Sequence, residues 1–458
     1  MEIYYRSLEI SPTKVRPMPK LNDNQTAINQ QKRTIRVAVL AEELLGWGSG
    51  KRMFPEILQN YSWETKDIFY SITTQFIFDD DILQGRLTTK EFDVLLVPGG
   101  GVGDGQAILK GFHYLRHVRK WKKNIAAFIE DGGGYLGICG GAALITDLKT
   151  EAKKPRTFLE RQYNKSALGV TCVSSYYRTL AIPLFYPFQK KHPENIGATA
   201  YVFSFAPGTM INGTRILSGG APIDFQILTN HAIFSDVTKD TERIRWWGGP
   251  ALIVPKNPDR EVHVLAKYPK TDLSDTPNLR IHAWRYIGGI HGLLFALFKA
   301  ARYIKKEHDS LKNLFLYTYY FAETWQITDK IIKLDYSDKP CITAEIYPNK
   351  NQGRILLCAA HPEYMIWWNG QIVERKTRET TCLGTGLYEW KDIALLSRDA
   401  SAELTHTWWM VRRFVAWAAK VPDTHLPPIE KIILTKEQSY LVKNIFWDGS
   451  LKTQMDYI

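Results

Sequence analysis

The sequence predicts an α/β fold in which a mostly parallel sheet lies between helices, and three successive segments indicate it. Val94–Val97 is a short continuous apolar run, typical of a strand buried on both faces, and the glycine-rich loop Pro98–Gly101 ends it. Apolar residues then recur at helical spacing over Ile108–Val118. A second apolar run, Tyr135–Ile138, follows. The order strand, glycine turn, helix, strand is that of a βαβ unit with a parallel sheet.

Similar runs extend the predicted sheet on both sides of this unit. Apolar and β-branched stretches predict four more strands, which are Ile35–Leu40, Asp67–Phe78, Val262–Tyr268 and Arg354–Ala360. Further strand-like runs and glycine turns lie within residues 196–255. A strongly periodic helix is predicted near the end of the chain, over residues 402–419.

The predicted elements divide the chain into four parts. Residues 1–32 are polar and aperiodic, and we interpret them as an N-terminal arm. The main α/β domain is expected to comprise residues 33–270 and 331–420. A helical insertion is expected at residues 271–330, where the pattern becomes helical and aromatic. Residues 421–458 are interpreted as a C-terminal appendage.

Composition limits the function classes. The chain has 458 residues, of which 45% are hydrophobic and 23% are charged, and this is ordinary globular composition. Its five cysteines lie far apart, without the spacing of a zinc site or of a disulfide framework, which indicates a reducing compartment. The N-terminus lacks the apolar segment of a secretory signal. We therefore expect a cytoplasmic protein, with no metal and no cofactor.

The net charge of +12 raises the question of a nucleic-acid partner. Its densest patch, Arg116–Lys123, falls on a predicted helix and has no nucleic-acid-binding motif beside it, so we interpret it as a solvated helix face. The best membrane candidate, Tyr286–Phe298, is well short of the ~20 apolar residues that a span needs. We predict no nucleic-acid partner and no membrane span, and we interpret Tyr286–Phe298 as a buried or interfacial helix.

The turn Gly137–Gly141 carries the candidate nucleophile, Cys139, at the end of a predicted strand. A nucleophile elbow is sharp, and small residues beside the nucleophile avoid a clash with the neighbouring strand or helix. The residues after Cys139 begin a predicted helix, whose positive dipole end favours the reactive thiolate. The backbone N–H of Gly140 is expected to face a developing oxyanion, with a second donor from Gly100 or Gly101. A packed thiol in a tight turn is the alternative interpretation.

His361 and Glu363 are the candidate base and the residue that orients it. They follow the predicted strand Arg354–Ala360, so we expect them at the same sheet edge as Cys139. Residues i and i+2 of an extended segment project to one side, and Pro362 favours the extended conformation of His361. Glu363 can then flank the imidazole ring and fix its tautomer. A thiolate nucleophile with an oriented histidine base is the arrangement of cysteine hydrolases.

Two further groups are weaker candidates for a substrate pocket. One segment carries paired tryptophans and glycines, namely Trp246, Trp247, Gly248 and Gly249. These residues can either line a pocket near the elbow or pack at the end of a strand. Asn230 and His231 can likewise belong to a loop over the site or to a local turn.

The motifs at Pro98–Gly100, Cys139 and His361–Glu363 together resemble those of class I glutamine amidotransferases. This resemblance implies a Cys-His-Glu triad, in that chain order, on a flavodoxin-like three-layer α/β/α sandwich. In the related PfpI-like proteins a glutamate near the end of the first strand contacts the cysteine. By that resemblance Glu42 is a second candidate partner of Cys139.

A nearer resemblance is to the amidotransferase-like family named after the N-terminal domain of eukaryotic biotin-protein ligases. The stretches Phe92–Gly100 and Gly133–Cys139 are similar to that family, and small residues follow the second of them. Asn230–Phe234 and Trp247–Pro250 are similar to it as well. The resemblance leaves out the predicted insertion and both ends of the chain.

Two departures from these families bear on the reaction. Glutamine-hydrolysing enzymes usually follow the elbow glycine with His-Gln, whereas this chain has Ala142 and Ala143, which argues against glutamine as the substrate. The sequence also contains no Gly-Arg-Gly-Arg motif of a biotin ligase. The sequence therefore predicts a cysteine hydrolase that acts on a C–N bond of a small amide or peptide-like substrate.

Two alternatives to hydrolysis stay open from the sequence. The first is a non-catalytic binding module that keeps the pocket, and Ala142, Ala143 and the large insertion favour it. The second is an ammonia-supplying protein that docks on a synthetase partner.

Overall fold

A computed structural model describes most of the predicted α/β domain. The described residues are 31–41, 54–99, 116–149, 168–176, 210–211, 214–215, 221–246, 249–273, 282–286, 289–306, 325–331, 333–363, 366–367, 404–405 and 407–430, with the single positions 161, 164, 311, 314 and 318. The predicted arm (apart from residues 31 and 32), the predicted helical residues 108–115 and most of the predicted appendage lie outside them.

The strands are short apart from two. In chain order they are β1 Gln31–Leu40, β2 Ser62–Glu64, β3 Ile68–Ile77, β4 Val94–Val97, β5 Gly134–Ile138, β6 Asp147–Lys149, β7 Ser174–Tyr176, β8 Met210–Ile211, β9 Thr214–Arg215, β10 Ala221–Ile227, β11 Thr241–Trp246, β12 Ala251–Ile253, β13 Val262–Lys267, β14 His282–Tyr286, β15 Trp325–Ile331, β16 Pro340–Ile346, β17 Arg354–Cys358, β18 Ile366–Trp367 and β19 Leu404–Thr405. The six strands that the sequence predicts individually are all confirmed, with ends that differ by a few residues.

Helices are fewer within the described residues. They are α1 Asp79–Leu83, α2 Arg116–Glu130, α3 Gly140–Leu144, α4 Gly289–Lys306 and α5 Trp408–Ala418. A helical turn at residues 54–58 and a short 3-10 helix, Asp423–His425, also lie within the described residues. The predicted C-terminal helix is confirmed but begins later than expected, because residues 404–405 pair with β18 as a strand.

One ten-stranded mixed sheet organises the fold, in the order β11-β10-β13-β16-β17-β5-β4-β1-β3-β2. Its centre is parallel and comprises β17, β5, β4, β1 and β3. We call these five strands the parallel half. The strands β4 and β5 are buried along their whole length, as expected for parallel strands covered on both faces.

The other side of the sheet corrects the prediction of a mostly parallel sheet. β16, β13, β10 and β11 pair antiparallel with one another and with β17, and we call these four strands the antiparallel half. The physical reason is the length of the connections. β16 and β17 are joined by the short loop 347–353, which suffices for an antiparallel pair but not for a helical crossover.

The antiparallel half curls back towards the centre of the molecule. Arg245, near the end of the outer strand β11, forms an antiparallel bridge with His361, three residues beyond the end of β17. The indole of the next residue, Trp246, is buried and lies against the rings of Tyr268 and Tyr336. The outer strand of the sheet therefore ends beside the segment that carries the predicted base.

Helix α5 packs against the parallel half. All of its residues are buried, and it lies against β4, β5 and β17. Its close approach depends on a glycine, since a Cβ on Gly134 would lie 2.4 Å from the carbonyl oxygen of Ala418. At the end of α5 the Arg33 guanidinium donates to the Ala419 carbonyl over 2.6 Å. The first strand and the last described α-helix are thereby joined.

The predicted insertion at residues 271–330 contains both strands and a helix among its described residues. β14 and β15 pair antiparallel, and α4 lies between them in the chain. One face of α4 is buried, and the other exposes large apolar side chains, which are Ile290, Leu294, Phe295 and Phe298. Within the described residues, none of the helices combines the length and the apolar character that crossing a membrane requires.

Candidate active site

Cys139 lies at the turn between strand β5 and helix α3. Its backbone has φ 50° and ψ −109°, a conformation that side-chain-bearing residues rarely adopt. Such a backbone costs about 1–3 kcal/mol and occurs mostly at functional sites. The Ala142 and Ala143 amides donate to the Cys139 carbonyl over 3.0 and 3.2 Å, so the helix begins at once. This is the geometry of a nucleophile elbow.

Glycines make this turn possible. A Cβ on Gly141 would lie 2.0 Å from the Val97 carbonyl oxygen, and one on Gly137 would lie 2.5 Å from the Gly141 carbonyl oxygen. These clashes involve backbone atoms, which cannot move aside as a flexible side chain can. The hydroxyl of Tyr135 donates to the Gly141 carbonyl over 2.7 Å within the core. Packing and hydrogen bonding therefore both fix the turn around Cys139.

His361 and Glu363 form a buried pair directly after strand β17. The His361 Nδ1 atom lies 2.7 Å from Glu363 Oε1, and both residues are less than 5% exposed. The Glu363 carboxylate accepts a hydrogen bond from the Nδ1–H group of His361, which leaves Nε2 as the basic nitrogen of the ring. The second oxygen, Oε2, is buried and has no hydrogen-bond partner among the described parts of the chain.

Two residues at the start of α5 hold the His-Pro-Glu segment. The Thr407 hydroxyl donates to the Pro362 carbonyl over 2.9 Å, and the Trp408 indole donates to the Glu363 carbonyl over 3.0 Å. The backbone of this segment is thereby fixed on one side by α5. On the other side, the His361 amide donates to the Arg245 carbonyl over 2.8 Å.

The sheet brings the cysteine and the histidine together. β5 and β17 are parallel neighbours, with Ile138 opposite Cys358, and the Cys139 amide donates to the Cys358 carbonyl over 2.6 Å. Cys139 and His361 therefore both lie beyond the carboxyl ends of adjacent strands, where ligands bind in sheets of this kind.

Gly99 marks the point where the two side chains meet. A Cβ on Gly99 would lie 2.6 Å from His361 Cε1 and 3.2 Å from Cys139 Cβ. The imidazole ring and the cysteine side chain thus both pack against the bare α-carbon of Gly99. A residue with a side chain at this position would push the ring or the turn away.

The other described cysteines have a different environment. Burial raises the pKa of the Cys341 and Cys358 thiols well above the ordinary value, and burial with the nearby Glu345 carboxylate raises the pKa of Cys172 to about 11. These three thiols stay protonated at neutral pH and are poor nucleophiles. Among the described cysteines, Cys139 alone precedes a helix, and its Cβ lies with the His361 ring against Gly99.

The candidate oxyanion donors are described in part. Gly140 follows Cys139 as the first residue of α3, so its backbone N–H has no partner within the helix. The predicted second donors, Gly100 and Gly101, lie outside the described residues. The preceding residue, Gly99, is at the site. The second candidate partner, Glu42, also lies outside the described residues.

The tryptophan–glycine segment is beside the base. A Cβ on Gly249 would lie 1.8 Å from the Ala359 carbonyl oxygen. The Gly249 backbone therefore packs against Ala359, which precedes His361 by two residues. The Trp246 indole donates to the Gly249 carbonyl over 3.1 Å, and the Tyr268 hydroxyl donates to the Pro250 carbonyl over 2.9 Å. The side chain of Trp246 is therefore a support for this loop. Trp247 and Gly248 lie outside the described residues.

Asn230 is not brought to Cys139. It is exposed, and it follows β10 where that strand runs along β13 towards the edge at which β17 begins. The ring of its neighbour His231 lies 4.9 Å from the ring of His263 and 5.5 Å from that of Trp417. Burial lowers the pKa of His231 to about 4, so this histidine is neutral at physiological pH.

Sequence reasoning missed the supporting residues, above all Arg245, Thr407 and Trp408. Each contacts the His-Pro-Glu segment from a distant part of the chain. No local pattern signals such a pairing, because it depends on how the sheet curls and where α5 begins. Gly99 had a signal, since it belongs to the glycine loop after a predicted strand.

Comparison of the sequence with protein-family models gives no match, and comparison with curated proteins also gives none. The site geometry therefore carries the functional argument.

Proposed function

We propose that this protein is a cysteine-dependent hydrolase that cleaves a C–N bond in a small amide or peptide-like substrate. One observation carries the proposal: Cys139 occupies a strained elbow at a helix start, and the oriented His361–Glu363 pair meets it at Gly99. A packed structural thiol needs neither a strained backbone nor an oriented imidazole. We further propose the three-layer, flavodoxin-like architecture of class I glutamine amidotransferases and a cytoplasmic location.

The reaction follows from the roles of the three side chains. His361 Nε2 takes the proton of Cys139, and the Sγ atom attacks the carbonyl carbon of the amide. The Gly140 N–H stabilises the oxyanion that forms. The imidazolium then gives its proton to the leaving nitrogen, the C–N bond breaks, and an amine or ammonia departs. Water, activated by the same imidazole, hydrolyses the thioester and releases the acid. Glu363 holds the ring throughout.

The proposal is tested with a panel of small amides and short peptides, by measuring the amine or ammonia released. We expect wild-type protein to turn over at least one member of the panel. Cys139→Ala is expected to reduce the rate by at least about a thousandfold, because no other described group can form the thioester. Cys341→Ala is a matched control, because it removes a buried thiol of β16, two strands away from β5 in the same sheet. Equal rates for wild type and Cys139→Ala would contradict the proposal.

A non-catalytic binding module is the second candidate function, and Ala142 and Ala143 favour it. Both are buried where glutamine-hydrolysing enzymes carry a residue that helps to hold the substrate. This candidate predicts that Cys139→Ala leaves stability almost unchanged and that no amide is turned over. Failure of a small thiol-directed electrophile to label Cys139 in folded protein, while it labels other thiols, would favour this candidate over the hydrolase.

A further inference from the structure

Helix α4 has a large apolar surface that faces outwards. Four of its side chains are between 57% and 63% exposed, namely Ile290, Leu294, Phe295 and Phe298. Single exposed apolar residues are ordinary, but a contiguous group of large ones marks a place where another molecule or a membrane binds. The surface falls within Tyr286–Phe298, the best membrane candidate of the sequence.

Helical spacing brings these four side chains together. Ile290, Leu294 and Phe298 follow one another at intervals of four residues, and Phe295 precedes Phe298 by three, so neighbouring Cβ atoms are about 5–6 Å apart. The opposite side of the helix is buried and consists of Leu293, Ala296, Ala300 and Ile304. The first two of these belong to the main hydrophobic core. The fold therefore uses one side of α4 for its own packing and presents the other.

The sequence around this surface is strongly basic. Residues 276–306 contain six arginine or lysine residues and no aspartate or glutamate, and four of the six belong to the second half of α4. Arg302 and Lys305 are exposed on the same side of the helix as the apolar residues. The Lys299 ammonium lies 5.0 Å from the centre of the Phe295 ring. Apolar and cationic groups thus share one exposed side of α4.

A partner for this side must be both apolar and anionic. Nucleic acid supplies charge, but its bases stack on aromatic rings, whereas half of the large side chains here are aliphatic. A second copy of the chain would bring the same cations against one another. A protein groove takes in a helix along its sides, and α4 is already packed on its own chain. An anionic lipid surface meets both requirements and needs only the outer side of a helix.

We propose that α4 binds the surface of an anionic membrane. Its apolar side chains enter the boundary between headgroups and acyl chains, and its basic residues contact the anionic headgroups. The helix lies in the plane of the surface and does not cross the bilayer. Cytoplasmic leaflets carry lipids of this kind, among them phosphatidylserine. The inference is independent of the proposed hydrolase function, because none of the candidate catalytic residues belongs to α4.

Vesicles of two compositions test the proposal. The full chain is sedimented with vesicles of phosphatidylcholine alone or of phosphatidylcholine mixed with phosphatidylserine, and the bound fraction gives the affinity for each. We expect the affinity for the anionic vesicles to be higher by about twentyfold or more, because each basic residue near the surface contributes about fivefold. The difference should shrink as the salt concentration is raised.

Substitution of the apolar side chains assigns the binding to α4. Leu294→Gln combined with Phe298→Gln places a good helix former at two exposed positions, and it should weaken binding to the anionic vesicles by about a hundredfold or more. Phe76→Gln combined with Phe78→Gln is the matched control. These two phenylalanines are 40% and 42% exposed at the end of β3, so their replacement should leave vesicle binding unchanged.

Charge reversal tests the cationic part of the surface. Arg302→Glu combined with Lys305→Glu should weaken binding to the anionic vesicles by about twentyfold or more and change binding to neutral vesicles little. Lys66→Glu combined with Lys90→Glu is the matched control, because both lysines are exposed and lie in turns outside α4. All the substituted side chains are exposed, so each variant should unfold at nearly the temperature of wild type.

The outcomes separate a membrane from other partners. Binding to anionic vesicles that falls in both α4 variants and persists in both controls supports the proposal. Wild-type protein that does not bind the anionic vesicles, or binding that the α4 variants leave unchanged, overturns it. A dimer that the apolar variant dissociates in analytical ultracentrifugation, without vesicle binding by wild type, overturns it in favour of a second copy. Turnover by Cys139→Ala bears on the hydrolase alone.

Discussion

The two halves of the sheet differ in how their strands are buried and in what they contribute to the site. In the parallel half, β4 and β5 are buried on both faces, and their ends carry Gly99 and Cys139. In the antiparallel half, β10 and β11 keep one face partly in water, as the exposed Asp224–Arg243 pair shows. The parallel half carries the nucleophile at a rigid edge.

The antiparallel half contributes by curling rather than by its own strand ends. Its outer strand returns to His361 and supports the base through the Arg245 carbonyl. The Gly249 loop, held by Trp246 and Tyr268, packs on the strand end before His361. The difference teaches that both reacting side chains follow strands of the parallel half, while the antiparallel half supports the segment that carries the base. Substitutions in the two halves should therefore fail in different ways.

After the loss of Cys139 itself, the largest expected effect comes from replacing the carboxylate that orients the base. In Glu363→Gln an amide N–H can donate to His361 Nδ1 and favour the wrong tautomer, so turnover should fall by about 10²–10⁴-fold with little change in thermal stability. The measurement is the rate of amine release on the best amide of the panel. A rate within threefold or so of wild type would show that Glu363 does not orient the base.

Glu345→Gln is the matched control for that change. Glu345 is an equally buried carboxylate at the far end of β16, where the Thr171 hydroxyl, the Cys172 amide and the Arg260 guanidinium donate to it. Burial raises the pKa of Glu345. Removing its charge should lower the free energy of unfolding by roughly 1–3 kcal/mol and leave turnover nearly unchanged.

The next largest effect is on stability, at one close glycine contact beside each half of the sheet. Gly141→Ala and Gly249→Ala place a Cβ within 2.0 Å and 1.8 Å of a carbonyl oxygen, and each should lower the free energy of unfolding by roughly 3 kcal/mol or more. Gly169→Ala, in open space at φ +71°, should cost only about 1 kcal/mol. Urea denaturation measures the free energy of unfolding of all three variants. A loss for Gly169→Ala as large as those for Gly141→Ala and Gly249→Ala would contradict the packing argument.

The stability of the fold is expected to depend on pH through His231, which lies in the loop that joins β10 and β11. The pKa of His231 is lowered from 6.5 to about 4 in the folded chain, mainly by burial. Below about pH 6.5 the unfolded chain binds the proton and the folded chain does not, so stability should fall as pH drops towards 4. The loss attributable to this group approaches about 3 kcal/mol at pH 4.

His231→Asn tests the assignment of that loss. The variant should be less stable than wild type at pH 7.5, because its ring contacts with His263 and Trp417 are lost. Its stability should nevertheless depend less on pH between about 6.5 and 4. Urea denaturation across that pH range measures the free energy of unfolding of wild type and His231→Asn. Parallel pH profiles of the two proteins would assign the loss of stability to other groups.

The smallest effect concerns the strained elbow. At an ordinary buried position alanine is more stabilising than glycine by about 0.5–1 kcal/mol. At position 139, with φ 50°, that order should reverse, because only glycine relieves the strain. Cys139→Gly is therefore expected to be more stable than Cys139→Ala by about 1 kcal/mol. Thermal denaturation of the two variants measures the difference, and the usual order would mean that the turn is not strained.

The predictability of the two halves follows from their patterns. Continuous apolar runs such as Val94–Val97 and Tyr135–Ile138 indicate parallel strands without knowledge of their neighbours. The elbow at Cys139 and the spacing of His361 and Glu363 are also local, so the side chains of the site could be named from the sequence. That they meet at Gly99 required the structure.

The antiparallel half could not be predicted to the same extent. Its strands alternate weakly, and its pairing depends on residues far apart in the chain, such as Arg245 with His361. The burial of Arg245 and the support from Thr407 follow from that long-range pairing. The sequence therefore indicates which side chains react, and the three-dimensional pairing shows which ones position them.

The bare α-carbon of Gly99 has a practical consequence. Adding one methyl group there would separate the imidazole from the thiol while Cys139, His361 and Glu363 all remain in the chain. Gly99→Ala is thus a candidate for a substrate trap, a form that retains the groups contacting a ligand but cannot complete the proton transfer. Incubated with a cell extract and analysed by native mass spectrometry, such a trap would retain the uncleaved molecule and reveal its mass.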